Sequence, residues 1–238
     1  MKGGQVACLR AVVSNFMKML KKIFGIKKEK PSLVIDSNGI NTIGGKVNKE
    51  VEIPDFEYSP VVYLGCISKN EKELEFLDFD FHMICPIFID LSNPIFFDYS
   101  DYKKPIIITE NVETNFYQYF EDIPKTSIIE YKEINFSFNY SKVVKTKIGV
   151  HDIEYVPGEI GQFLKPNWIR DEQWPNCPKN GKKMKFLFQL TFVEESVVLK
   201  GQEILEKESI EPYLSFGGDF YVFYEPESRT VAYLIQYE

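Results

Sequence analysis

Short apolar or alternating runs, built largely from Phe, Tyr, Ile and Val, recur through most of this chain and are separated by turn residues. Such residues suit a pleated, half-buried surface, and the supply is large: 20 of the 238 residues are Phe and 14 are Tyr. Residues 61–67 form one apolar run. Residues 77–84 alternate, with Leu77, Phe79, Phe81 and Met83 on one face. Residues 86–91 and 105–109 each open on a proline, which a strand tolerates at its first position. Residues 134–140, 184–193, 220–224 and 231–237 complete the predicted strands. Fewer stretches read as helical: 70–74, 114–120 and 202–207. Turns are marked by Ser37-Asn38-Gly39, Gly44-Gly45 and Gly217-Gly218-Asp219. The expected fold class is α+β, strand-rich, with mixed or antiparallel sheets and few short helices.

The opening segment differs from the rest. Leu9, Val12, Val13, Phe16, Leu20, Ile23 and Phe24 recur at steps of three and four, the period of a helix with one apolar face. Arg10, Lys18, Lys21, Lys22, Lys27 and Lys28 fill much of the remainder. Gly25 suits a helix stop, and Pro31 marks entry to the body. The predicted organisation is therefore a basic amphipathic helix over 1–30 and a globular α+β domain over 31–238. That domain is single, or two packed halves meeting near 149–158. Charges interrupt the apolar run well before the roughly 20 residues a bilayer span needs. A cleaved signal peptide also fits poorly, because the positive charge follows the apolar stretch. Three readings stand for this segment. It contacts a membrane surface or a partner through residues 9–24, it packs on its own body, or it is an upstream extension with Met17 as the true start.

Charge is divided unevenly. Net charge is −7, yet residues 1–30 carry +7 and the remaining 208 residues −14. An acidic body repels phosphate backbones, which argues against nucleic acid and suits a basic protein partner. The four cysteines, Cys8, Cys66, Cys85 and Cys177, lack metal-ligand spacing and the density of a disulfide scaffold. Reduced thiols in the cytoplasm are the expectation.

Chemistry-bearing motifs are sparse. Asp78, Asp80 and His82 would share one face of a strand, roughly 6.5–7 Å apart, and imidazole with carboxylates is a ligand set for zinc, manganese or iron. The opposing reading is a polar strand face turned to water. His151, Asp152 and Glu154 repeat the pattern. With two histidines in the chain, a Ser–His or Cys–His pair would have to use one of them. Neither a nucleophile elbow nor a phosphate loop occurs. No catalytic residue, metal set or cofactor is assigned. The segment from Asn167 to Pro175 holds both tryptophans, Trp168 and Trp174, beside Arg170 and Asp171. Trp and Arg are frequent binding hot spots, and they also pack in ordinary corners.

Over residues 160–236 the order of features resembles the YwqG-like family, a bacterial domain group. The matching stretches are Ile160-Gly161-Gln162, Pro166-Asn167-Trp168-Ile169, Cys177-Pro178-Lys179-Asn180-Gly181, Met184-Lys185-Phe186-Leu187-Phe188-Gln189-Leu190, Gly218-Asp219-Phe220-Tyr221-Val222-Phe223-Tyr224 and Leu234-Ile235-Gln236. Ile43-Gly44-Gly45 looks like the family's earlier turn. Gln162, Arg170 and Asn180 depart from the pattern. Asn180 replaces the second cysteine of a knuckle, which removes a thiolate pair and any zinc reading there. The resemblance implies a mixed α+β fold with much sheet and a stand-alone cytoplasmic protein. Several similar small acidic families are immunity proteins against secreted toxins. Gln189 and Gln236 would lie within strands, where a buried amide must find hydrogen-bond partners. The function expected is a non-enzymatic intracellular protein-binding module, in its most specific form an immunity protein that neutralises a toxin, with Trp168, Arg170, Asp171 and Trp174 at the contact. The alternative is an enzyme or a small-ligand or metal-binding protein using Asp80 and His82 or remote carboxylates.

Overall fold

The computed structural model describes residues 29–56, 61–86, 93–108, 129–148, 151–191, 198–201 and 218–237. The predicted helices over 114–120 and 202–207, and residues 1–28 of the one over 1–30, lie outside these residues; Glu29 and Lys30, expected to end that helix, begin a strand instead. Two compact units are distinguished: residues 31–139 with 158–238, and residues 1–30 with 140–157.

Strands dominate. In chain order they are β1 (Glu29–Ile35), β2 (Asn41–Ile43), β3 (Val61–Ile67), β4 (Phe81–Pro86), β5 (Ile95–Asp98), β6 (Ile106–Ile108), β7 (Glu130–Tyr131), β8 (Ile134–Lys142), β9 (Val144–Ile148), β10 (His151–Tyr155), β11 (Glu159–Phe163), β12 (Lys185–Leu190), β13 (Val198–Lys200), β14 (Asp219–Glu225) and β15 (Thr230–Gln236). Eleven of them form one sheet in the order β4-β3-β2-β8-β1-β11-β12-β14-β15-β5-β6, while β9 with β10 and β7 with β13 form two-stranded ribbons. The smaller unit's ribbon sets Lys145 opposite Glu154 and Lys147 opposite Asp152, and Lys145 and Glu154 are ion-paired at 2.7 Å.

The expected α+β class is thus corrected to an all-β architecture: among the described residues there is no α-helix, and the predicted helix at 70–74 is a single 3₁₀ turn, Lys72–Leu74. None of the described helical residues forms a helix long and apolar enough to cross a membrane. The physical reason lies in β14 and β15. From Phe220 to Glu225 and from Thr230 to Gln236 every residue is buried, so both faces of this hairpin need cover. Phe220, Val222, Tyr224, Val231, Tyr233 and Ile235 enter the main core. Tyr221, Phe223, Ala232 and Leu234 enter a second one with Phe96, Cys177 and Met184. An α+β fold would cover the second face with helices. Here the irregular segment between β11 and β12 does so.

The first face is covered by the sheet itself. Phe81 of β4 meets Tyr99, just past β5, edge-on at 5.2 Å, and Phe79 lies 6.2 Å from Tyr224. The Tyr99 hydroxyl donates to the His82 carbonyl at 2.7 Å. Strands near opposite ends of the sheet order therefore pack together within the larger unit. A bulge interrupts the pairing of β3 with β4, where the register shifts between Tyr63 and Gly65. Gly65 has φ +132°, and a Cβ there would lie 2.1 Å from the Thr42 carbonyl oxygen.

Only glycine fits that position. Gly65→Ala is expected to cost about 3 kcal/mol or more. Gly181→Ala, with φ +71° but nothing within 4 Å of the added Cβ, is expected to cost about 1–2 kcal/mol. Urea midpoints of the two variants check the difference.

Candidate functional site

Leaving β11, the chain turns at Leu164, whose φ is +69°, and crosses the second face of β12, β14 and β15. A loop over a sheet has no ladder of its own, so its backbone groups need partners. Three buried polar side chains supply them. Gln189 of β12 accepts from the Asn167 N–H at 2.8 Å and donates to the Asn167 carbonyl at 3.3 Å. The Tyr221 hydroxyl of β14 donates to the same carbonyl at 2.8 Å. Gln236 of β15 accepts from the N–H groups of Ile169 and Arg170, both at 3.1 Å, and donates to the Asp171 carbonyl at 2.8 Å. Gln189 and Tyr221 are register partners, as are Tyr221 and Leu234, so these groups share one face. Gln189 also donates to Asp219.

The tryptophans pack on what this pinning leaves uncovered. Trp168 stacks on Tyr221 with ring centroids 4.8 Å apart and meets Trp174 edge-on at 5.8 Å. Trp174 lies edge-on to Phe223 at 5.8 Å, and its indole N–H donates to Glu172 at 3.2 Å. The Lys183 ammonium sits 4.2 Å from the Trp174 ring centroid, an attractive placement for a cation. Both tryptophans are half-buried, whereas Arg170, Asp171, Glu172 and Gln173 are exposed at the tip. Of the four predicted contact residues, two therefore form the base of the corner and two stand outside it.

Beyond the corner, residues 175–184 make a tight knuckle. The Cys177 N–H donates to the Lys182 carbonyl at 2.8 Å, the Gly181 N–H to the Cys177 carbonyl at 2.8 Å, and the Met184 N–H to the Pro175 carbonyl at 3.0 Å. The knuckle is fastened to the β14–β15 turn through polar contacts. Asn180 donates to Glu225 at 2.9 Å. Ser228 donates to the same carboxylate through its hydroxyl at 2.6 Å and its N–H at 2.7 Å. The Cys177 sulfur lies 3.2 Å from the Ser228 hydroxyl, and the Lys179 ammonium lies 2.6 Å from Asp98. Burial would raise the Glu225 carboxyl, but donors from Ser228, Asn180 and the Glu227 N–H hold it at about 2 against an ordinary 4.5. Burial likewise pushes the Cys177 thiol up, and hydrogen bonds from Ser228, Thr230 and the N–H groups of Asn180 and Lys179 bring it below its ordinary value.

Asp78, Asp80 and His82 do not share a strand face, because β4 begins only at Phe81. Asp78 pairs with Arg229. Asp80 accepts from the Lys69 N–H at 3.0 Å. His82 is buried, with Nδ1 3.0 Å from the Tyr63 hydroxyl oxygen. The three side chains serve three different partners. Among the described residues no group of three or more His, Cys, Asp or Glu converges on a metal position. The side chain of His151 lies outside the description. Burial, and then the charge of Asp80, push the Cys66 thiol up to about 12, the reverse of an activated nucleophile. Sequence reasoning missed Tyr221 and Glu225. The available signal was a polar residue inside or ending an otherwise apolar run, which did mark Gln189 and Gln236.

Two outcomes check this account. Gln236→Leu leaves the Ile169, Arg170 and Asp171 backbone groups without their partner and is expected to cost about 2 kcal/mol. Both tryptophans of the chain lie in the corner, so their fluorescence should shift to the red in that variant. Separately, the lowered Glu225 carboxyl means the folded chain binds fewer protons than the unfolded one. Its contribution is whole above pH 4.5 and is lost as pH falls toward about 2. Glu225→Gln should flatten the acid limb of a stability-versus-pH curve in that window.

Searches with this chain against family models, curated proteins and solved structures give no match.

Proposed function

We propose that this chain is a non-enzymatic intracellular binding module whose acidic body and exposed corner tip engage a basic protein partner, as a toxin-neutralising immunity protein would. The observation that carries the reading is the pinned loop. Gln189, Tyr221 and Gln236 hold the backbone of residues 167–171 from beneath, while Arg170 and Asp171 are exposed above it. A loop already ordered before contact loses little conformational freedom on binding.

Charge supports the same reading. Residues 31–238 carry −14, and a field of one sign speeds encounter with a partner of the other. Cys66, Cys85 and Cys177 are unpaired in disulfides, which suits a reducing compartment. Trp168 is stacked on Tyr221 and Phe223 of the sheet beneath it, so in this reading the contact is made by the exposed Arg170 and Asp171, with the tryptophans as their support.

The test is affinity capture on the full chain from lysate of the native organism, repeated with the double reversal Arg170→Glu, Asp171→Lys. A stoichiometric basic partner is expected with the natural chain, its retention falling about tenfold or more in the reversed variant and also falling with added salt. Equal retention by both chains would remove the corner tip from the reading.

A further inference from the structure

His82 occupies a place that the binding reading leaves unused. It lies on β4, the strand that begins the sheet order, and both its ends are engaged. Its imidazole Nδ1 is 3.0 Å from the Tyr63 hydroxyl on β3. Its backbone carbonyl accepts the Tyr99 hydroxyl at 2.7 Å. Tyr99 follows β5, which pairs with β15 and β6 near the other end of the sheet. One buried residue thus joins the β3–β4 side to the β5 side.

We propose that His82 is an acid-sensitive clasp: at neutral pH it holds β4 closed against β5, and its protonation releases β4. The neutral ring and the Tyr63 hydroxyl share a single hydrogen bond. Protonation makes both ring nitrogens donors, so the ring gains a charge and a second N–H to satisfy while buried. The groups facing it are Tyr63 and Cys66 from β3, Asp80 ahead of β4 and Tyr99 beyond β5. Of these Asp80 alone is charged at neutral pH, and its carboxylate is already engaged by the Lys69 N–H. Moving outward toward Asp80 and water meets the new demand and pulls His82 from Tyr99.

The direction of titration agrees. Burial holds the imidazole below its ordinary 6.5, and the Asp80 charge offsets this only in part. The closed state therefore binds fewer protons than an opened one. Closure is whole above pH 6.5 and loses ground as pH falls below it. Imidazole is the side chain that ordinarily titrates between about pH 5 and 8, and the chain has two, His82 and His151.

Amide hydrogen exchange on the full chain tests the clasp, at about pH 7 and about pH 5, with rates corrected for intrinsic exchange. Expected is a fall of about tenfold or more in the protection of 81–86 at the lower pH, with 230–236 unchanged. The fall should persist in His151→Gln and vanish in His82→Gln. Tyr99→Phe, which removes the O–H bonded to His82, should expose 81–86 already at pH 7. Constant protection in the natural chain, an equal acid loss in His82→Gln, loss at 230–236 in step with 81–86, or unaltered exchange in Tyr99→Phe would each overturn the proposal.

Discussion

The burial of β14 and β15 on both faces is the constraint from which the larger unit follows. Alternate residues of one hairpin feed two different cores, so neither side can be left to water. One side is closed by β4 and the residues just ahead of it, where Phe79 and Phe81 meet Tyr99 and Tyr224. The other is closed by the crossing that brings Trp168 and Trp174 onto Tyr221 and Phe223. At roughly 25 cal/mol per Å² of apolar surface removed from water, such large rings outweigh any local preference of the chain that covers them. That is why an irregular segment serves where a helix would have been ordinary.

An irregular cover brings a difficulty that a helix avoids. Its amides and carbonyls have no ladder, and leaving one buried without a partner costs about 1–3 kcal/mol. The solution lies in the sheet, where Gln189, Tyr221 and Gln236 lie on three adjacent strands beneath the loop. The knuckle uses the same device with a carboxylate. Glu225 is buried, and it gathers donors from Asn180, Glu227 and Ser228. Polar groups in these strands are therefore attachment points for what lies above, and the exposed tip derives its rigidity from them.

Much of the strand content was legible because alternation is a local signal. The runs at 61–67, 134–140, 220–224 and 231–237 correspond to β3, β8, β14 and β15. The uninterrupted burial of the last two went unread, although a continuous apolar run is the mark of a strand covered on both sides. What covers each side was not legible, because that depends on residues far apart in sequence. β1, β2, β5, β7, β9, β10, β11 and β13 went unread for a related reason: most are short, and several are polar on one face. At the site, Gln189 and Gln236 stood out as amides in apolar surroundings. Tyr221 did not, because a tyrosine in an aromatic strand looks like more core. The Asp78–His82 cluster misled because alternation was extended four residues before the true start of β4, past the point where Asp78 turns to Arg229.

The order of these pieces along the chain carries a consequence for how the molecule is made. The corner and knuckle, residues 164–184, rest on a surface supplied by residues 219–236. The residues ahead of β4 reach the same hairpin from even earlier, as in the contact of Asp78 with Arg229 across 151 positions. A nascent chain that has not yet reached β14 lacks the template for either cover. Its exposed aromatic rings must wait, and closing such long loops is slow. Assembly is thus gated by the arrival of one late hairpin, and a ribosome pausing before residue 219 would hold the chain at its most vulnerable stage.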